Sequence, residues 1–175
     1  CGAFSFAGMF AQLSGTPFVY IEIFGVSPEI FGFLFACNVI GLMIGSYLNS
    51  RLVTRYGIRR MLVAGTSMAL LGGLLLAFLT TAEIGGLAGI VIAIVIYMFP
   101  HNVTNANATA AALEKFPHIA GTASALIGAT RFGMGALIGA LVGILHDGTP
   151  VPMAVVIAGC GLASAASFWL LAREK

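Results

Sequence analysis

Apolar residues run along this chain in stretches of about twenty, longer than a buried strand or a half-buried helix requires. Six such runs are separated by short clusters of Gly, Pro, Ser and charged residues: 3–24, 30–53, 61–80, 84–112, 119–145 and 151–171. The first should stop at Gly25-Val26-Ser27-Pro28 and the fifth at His146-Asp147-Gly148-Thr149-Pro150. A helix rises about 1.5 Å per residue, so about 20 residues cover the roughly 30 Å of a bilayer's hydrocarbon. The expected fold class is an all-α membrane protein with six transmembrane helices. No hydrophilic insert is long enough to form a second domain.

Composition agrees with the pattern. Of the 175 residues 59% are hydrophobic and 8% charged, against about 25% charged residues in soluble domains. That leaves too little polar surface to keep a domain dissolved, and it argues against a soluble enzyme, a nucleic-acid binder and a disordered chain. The formal charge of +2 is too small to imply a polyanion. Membrane lipid is the expected partner, and nucleic acid is not. Cys1, Cys37 and Cys160 are odd in number and widely spaced, which fits neither a metal site nor a disulfide framework. The chain opens at Cys1 inside an apolar stretch, and the expectation is a piece of a longer protein.

The placement of charge sets the expected orientation. Arg51, Arg55, Arg59 and Arg60 lie between runs two and three, Lys115 between four and five, and Arg173 and Lys175 in the tail. The opposite connections hold Glu29, Glu83 and Asp147 but no Lys or Arg. By the positive-inside rule both ends are expected on the cytoplasmic side, with the chain multi-pass in the membrane. Trp169, near the inner end of the sixth run, fits an interfacial anchor.

Polar groups within the runs mark candidate chemistry. Arg131 sits near the middle of the fifth run, on the face of Gly128 and Gly135. A charge at that depth must face protein or a water-filled cavity. It either holds helix-end carbonyls or faces a transport path. In the fourth run Pro100 should kink the helix, and Asn102, Asn105 and Thr109 follow on one stripe. They either line an aqueous path or bond to neighbouring helices. Gln12, Thr16 and Glu22 share a stripe of the first run, which Pro17 should kink, and Asn38 of the second run joins these candidates. Glu22 is either a desolvated proton carrier or an ordinary solvated carboxylate near the outer loop. Gly121, Ser124, Gly128, Gly135, Gly139 and Gly143 give the fifth run a small-residue face for close helix packing, and Gly41 and Gly45 give the second a shorter one.

Catalysis has little support in these residues. His101, His118 and His146 fall at different depths and make no metal-ligand set. Ser67 lacks the second glycine of a nucleophile elbow. No cofactor is expected.

Three stretches carry a family resemblance. Arg55-Tyr56-Gly57-Ile58-Arg59-Arg60 resembles the second-half copy of the major facilitator inner-loop motif G-x-L-A-D-R-x-G-R-R, with Thr54 at the Asp position and Ser50 at the first Gly. Gly15-Thr16-Pro17-Phe18-Val19-Tyr20 with Phe24-Gly25-Val26-Ser27-Pro28 is similar to spans seven and eight of the bicyclomycin/chloramphenicol-resistance (Bcr/CflA) branch of drug:proton antiporters. Pro100 with its Asn/Ala/Thr run, then Pro117-His118-Ile119-Ala120-Gly121-Thr122, resembles spans ten and eleven of that branch, with Arg131 where an uncharged polar residue is expected. The resemblance implies the second, C-terminal half of a twelve-helix exporter in the inner membrane of a bacterium, working by alternating access with an inward-flowing proton as the coupling ion. Its partner would be the N-terminal six-helix half of the same polypeptide, and its substrate a small amphipathic drug. The competing expectation is a self-contained six-helix protein, acting as a homodimeric small transporter or as a channel or assembly subunit.

Overall fold

The computed structural model describes residues 1–171, with side chains to Leu170. Arg173 and Lys175, part of the charge argument above, lie outside the described residues. Every regular element among the described residues is helical. They are α1 (Gly2–Pro17), a π-helical turn (Phe18–Ile23), α2 (Pro28–Thr81), α3 (Gly86–Met98), α4 (His101–Glu114), a 3₁₀ turn (Pro117–Ile119), α5 (Ala120–Ile144) and α6 (Val151–Leu171).

Among the described residues, four helices are long and apolar enough to cross a membrane: Pro28–Thr81, Gly86–Glu114, Pro117–Ile144 and Val151–Leu170. The sequence pattern leads to six, and the difference has two local causes. The first run is helical as expected but is not one α-helix. Pro17 has no N–H to donate, and beyond it the ladder widens to i−5, as where Phe24 N–H reaches the Val19 carbonyl at 3.2 Å. Runs two and three are a single 54-residue helical stretch, so the expected loop from Arg51 to Arg60 is helical. Its only break is Gly57, at φ 78° and ψ 161°, a conformation open essentially to glycine alone.

That one residue turns the chain back on itself. On the arm before it, Gly41 lies against Val95 and Gly45 against the Phe99 carbonyl. On the arm after it, Gly72 lies against Tyr97 and Gly65 against Thr104. The first arm therefore runs parallel to α3–α4 and the second antiparallel to it, so Gly57 is the tip of a helical hairpin. The other contacts continue the alternation. Gly135 and Gly139 of α5 meet Phe10 and Ser14 of α1 in parallel, while Gly161 and Gly73 pair α6 antiparallel with the second arm.

Helix ends are closed by local chemistry. Ser27 accepts from Ile30 N–H at 3.5 Å ahead of α2, with Pro28 in the first turn and Glu29 favourable at the positive end of the dipole. Phe99 and Pro100 separate α3 from α4, because Pro100 cannot donate to the turn before it. The core is drawn from α1, the π-helical turn, α2, α3, α5 and α6 around Ala69, Leu76, Ile94, Tyr97, Val142 and Ile157. Large apolar side chains such as Phe33, Leu137 and Ile144 point outward, whereas Thr16, Thr66, Thr104 and Asn107 are buried. A chain with polar groups inside and apolar groups outside is built for lipid.

Candidate functional site

The break at Pro100 aims the first turns of α4 at three neighbours. Toward α2, Asn102 donates to Ser46 Oγ at 2.8 Å, and Asn107 donates to Asn49 Oδ1 at 2.6 Å. Toward α1, His101 is buried with its Nδ1 3.4 Å from Ser5 Oγ. Toward α5, Arg131 Nη2 donates to the Asn105 carbonyl at 3.0 Å and to Thr109 Oγ1 at 2.8 Å.

Asn105 joins the last two directions. Its Nδ2 donates to the His101 carbonyl at 3.1 Å, which fixes the amide orientation, and to His101 Nε2 at 3.0 Å. Thr109 Oγ1 donates to the Asn105 carbonyl at 2.8 Å while accepting from Arg131. Ser5, His101, Asn105, Thr109 and Arg131 thus form one connected polar network across α1, α4 and α5, with Phe6 beside the imidazole at 6.0 Å between centroids. It leaves Asn105 Oδ1 and Arg131 Nε buried without partners among the described residues. Unpaired buried donors and acceptors are costly, and they mark where a ligand's polar group would be welcome.

The sequence candidates divide accordingly. Asn105, Thr109 and Arg131 come together, whereas Asn102, on the same expected stripe, serves the α2 contact instead. Gln12 donates to Thr16 Oγ1 at 2.9 Å, and Thr16 in turn donates to the Gln12 carbonyl, so this pair is satisfied within α1. Asn38 is buried on α2 with its side chain close to the Tyr20 hydroxyl, away from the network around Arg131. Glu22 lies at the opposite end of the bundle with an exposed side chain, 3.9 Å from His146 Nε2. Arg55 lies 5.6 Å from the Tyr56 ring and Arg60 beside Tyr56 and Met61, with Gly57 as the hairpin tip and Arg59 next to it. His101 was missed as a site residue, whereas Ser5 falls on the first-run stripe of Gln12, Thr16 and Glu22. The available signal was a histidine immediately after a mid-span proline and four residues before Asn105.

A cavity of about 590 Å³ adjoins the network. Arg131 and Lys115 bring its charges, and Phe116, Leu126, Ile127 and Phe168 its apolar walls.

Residues 1–175 match the Major Facilitator Superfamily. The chain is 36% identical over 173 residues to a bicyclomycin resistance protein homolog of Haemophilus influenzae, covering 99% of this chain and 43% of that protein. It is 34% identical over 172 residues to an uncharacterized MFS-type transporter, YdgK, of Bacillus subtilis, covering 98% of this chain and 42% of the relative. An uncharacterized transporter of Rickettsia bellii is 26% identical over 165 residues, with 89% of this chain and 41% of the relative covered. The chain therefore spans about two fifths of the length of the curated relatives it matches. No solved structure matches it. The resemblance carried by the Gly15–Tyr20 and Pro117–Thr122 stretches agrees with the first of these relatives.

Proposed function

This chain belongs to the major facilitator superfamily, and from that premise we propose that it is the C-terminal six-span half of a bacterial inner-membrane exporter of small amphipathic drugs. The hairpin at Gly57 supports counting six crossings, because it gives α2 two antiparallel arms beside α1, α3–α4, α5 and α6. The other half would be an N-terminal six-helix unit of the same polypeptide, which fits relatives more than twice as long as this chain. Both ends of the chain would face the cytoplasm, since Arg55, Arg60 and Lys115 gather at one end of the bundle and Glu22 and His146 at the other.

The observation that carries the transport reading is the polar network of Ser5, His101, Asn105, Thr109 and Arg131. A packing core in lipid has no need of an arginine and a histidine, and ionisable groups at that depth serve a path or a relay. Substrate would enter the cavity beside Arg131, and alternating access would expose it to each side in turn. Inward proton flow would drive export, and no cofactor is required. The drug class follows the printed name of the Haemophilus influenzae relative.

Drug accumulation tests this reading. Cells expressing the natural polypeptide that carries this chain should accumulate less bicyclomycin than control cells, and a proton uncoupler should abolish the difference. Residues 1–175 expressed alone should give no protection. Equal accumulation would end the export reading, and protection by the 175 residues alone would favour a six-span homodimer.

A further inference from the structure

We propose that the cavity beside Arg131 binds an amphipathic organic anion, a molecule with one carboxylate- or sulfonate-type group on an apolar body. The proposal rests on the transporter reading and names the substrate class of its site.

The cavity, at about 590 Å³, is of the size that encloses small-molecule ligands. Its walls include Phe116, Leu126, Ile127 and Phe168, and its charged side chains are Lys115 and Arg131. Among the described residues no Asp or Glu lines it. Both charges are positive, so an amphipathic cation of the same shape would meet like charge in a poorly screened site.

Arg131 also lacks a counter-ion among the described residues. It bonds to a carbonyl and a hydroxyl, both neutral, through Nη2 alone. Its Nε is a buried donor with no partner. Glu22, 3.9 Å from His146, is at the far end of the bundle. A guanidinium held in place by Asn105 and Thr109, with a donor left over and no carboxylate to meet it, is set for an anionic group from a ligand. The aromatic and branched walls beside it would take the apolar body.

The test uses two probes with one body: dansyl-leucine, an anion, and dansyl-leucinamide, its uncharged amide. The natural polypeptide carrying this chain is purified into phosphatidylcholine nanodiscs, and binding is read from dansyl fluorescence. The anion should bind at least tenfold tighter than the amide. Arg131→Gln should weaken the anion at least tenfold and the amide less than twofold, and Arg131→Lys should recover part of the loss. Equal wild-type affinity for both probes, or anion binding unchanged in Arg131→Gln, overturns the proposal. Should Arg131→Gln fail to give folded protein, the wild-type ratio of the two probes decides. Phosphatidylglycerol nanodiscs separate the two sources of such an anion. Loss of dansyl-leucine binding there assigns the site to a lipid headgroup, and unchanged binding assigns it to a free solute. Anion binding without transport of any drug would keep the site and remove the transporter reading, whereas export with no anion preference would do the reverse.

Discussion

Asp147 closes the turn between α5 and α6 with its own side chain. Its Oδ1 accepts from the Thr149 hydroxyl at 2.6 Å and from the Thr149 N–H at 2.9 Å. Both bonds favour the charged carboxylate, the hydroxyl most, and hold its pKa below the ordinary aspartate value. A depressed pKa in the folded state means that the turn's contribution is present above the unfolded aspartate pKa. It is lost as pH falls through the folded value. Thr149→Val removes the stronger donor and keeps the N–H. The Asp147 titration, followed by carboxyl NMR, should then move up toward the ordinary value while the rest of the protein is unchanged. An unmoved titration would mean that the hydroxyl does not set it. The same scale separates what the sequence displays from what it hides. Arg131 is conspicuous because one cation interrupts an apolar run. His101 is not, since its role depends on the turn of α4 that brings Ser5 from a helix 96 residues away.

Among the helices, α5 tests the small-residue stripe directly. The spacing of its glycines was legible, but which of them pack was not, because spacing names a face and not its neighbour. A Cβ built at Gly135 would lie 2.9 Å from the Phe10 ring, and one at Gly139 would lie 2.8 Å from Ser14 Oγ. Gly121, Gly128 and Gly143 have open space. Gly135→Leu should therefore destabilise the fold by about 1–3 kcal/mol, the usual cost of overpacking. Gly143→Leu should leave this helix bundle nearly unchanged. Thermal unfolding of the purified variants reads the contrast, and equal losses would mean that a further surface packs on Gly143. The hairpin of α2 was half legible in the same way. The motif placed a glycine among arginines, yet a helix entering and leaving Gly57 without a loop depends on φ and ψ, which composition does not disclose.

For the whole molecule, the pattern of apolar runs was enough to read an all-helical chain with helices long enough to cross a membrane, because lipid forces each stretch of backbone to satisfy itself. It was not enough to place the polar network, which arises where three helices meet. Orientation depends on the basic ends, and it can be tested without substrate. Arg55 stands beside the hairpin tip and Gly148 in the turn between α5 and α6, at opposite ends of the bundle. Positive residues are retained on the cytoplasmic side, so the Arg55 end should be inside. Gly148 is exposed and has no neighbour within 4 Å of a built Cβ, so a cysteine there is sterically free, although its φ of 82° makes the substitution locally strained. In intact cells, a cysteine at position 148 should react with an impermeant maleimide, and one at position 55 only after the membrane is opened. Native Cys1, Cys37 and Cys160 would first be replaced by alanine so that none adds signal. Labelling at 55 in intact cells, with 148 silent, would invert the molecule and put the cavity beside Arg131 and Lys115 on the outer side. The cavity would then take its ligand from outside, and the export direction would fall with the orientation.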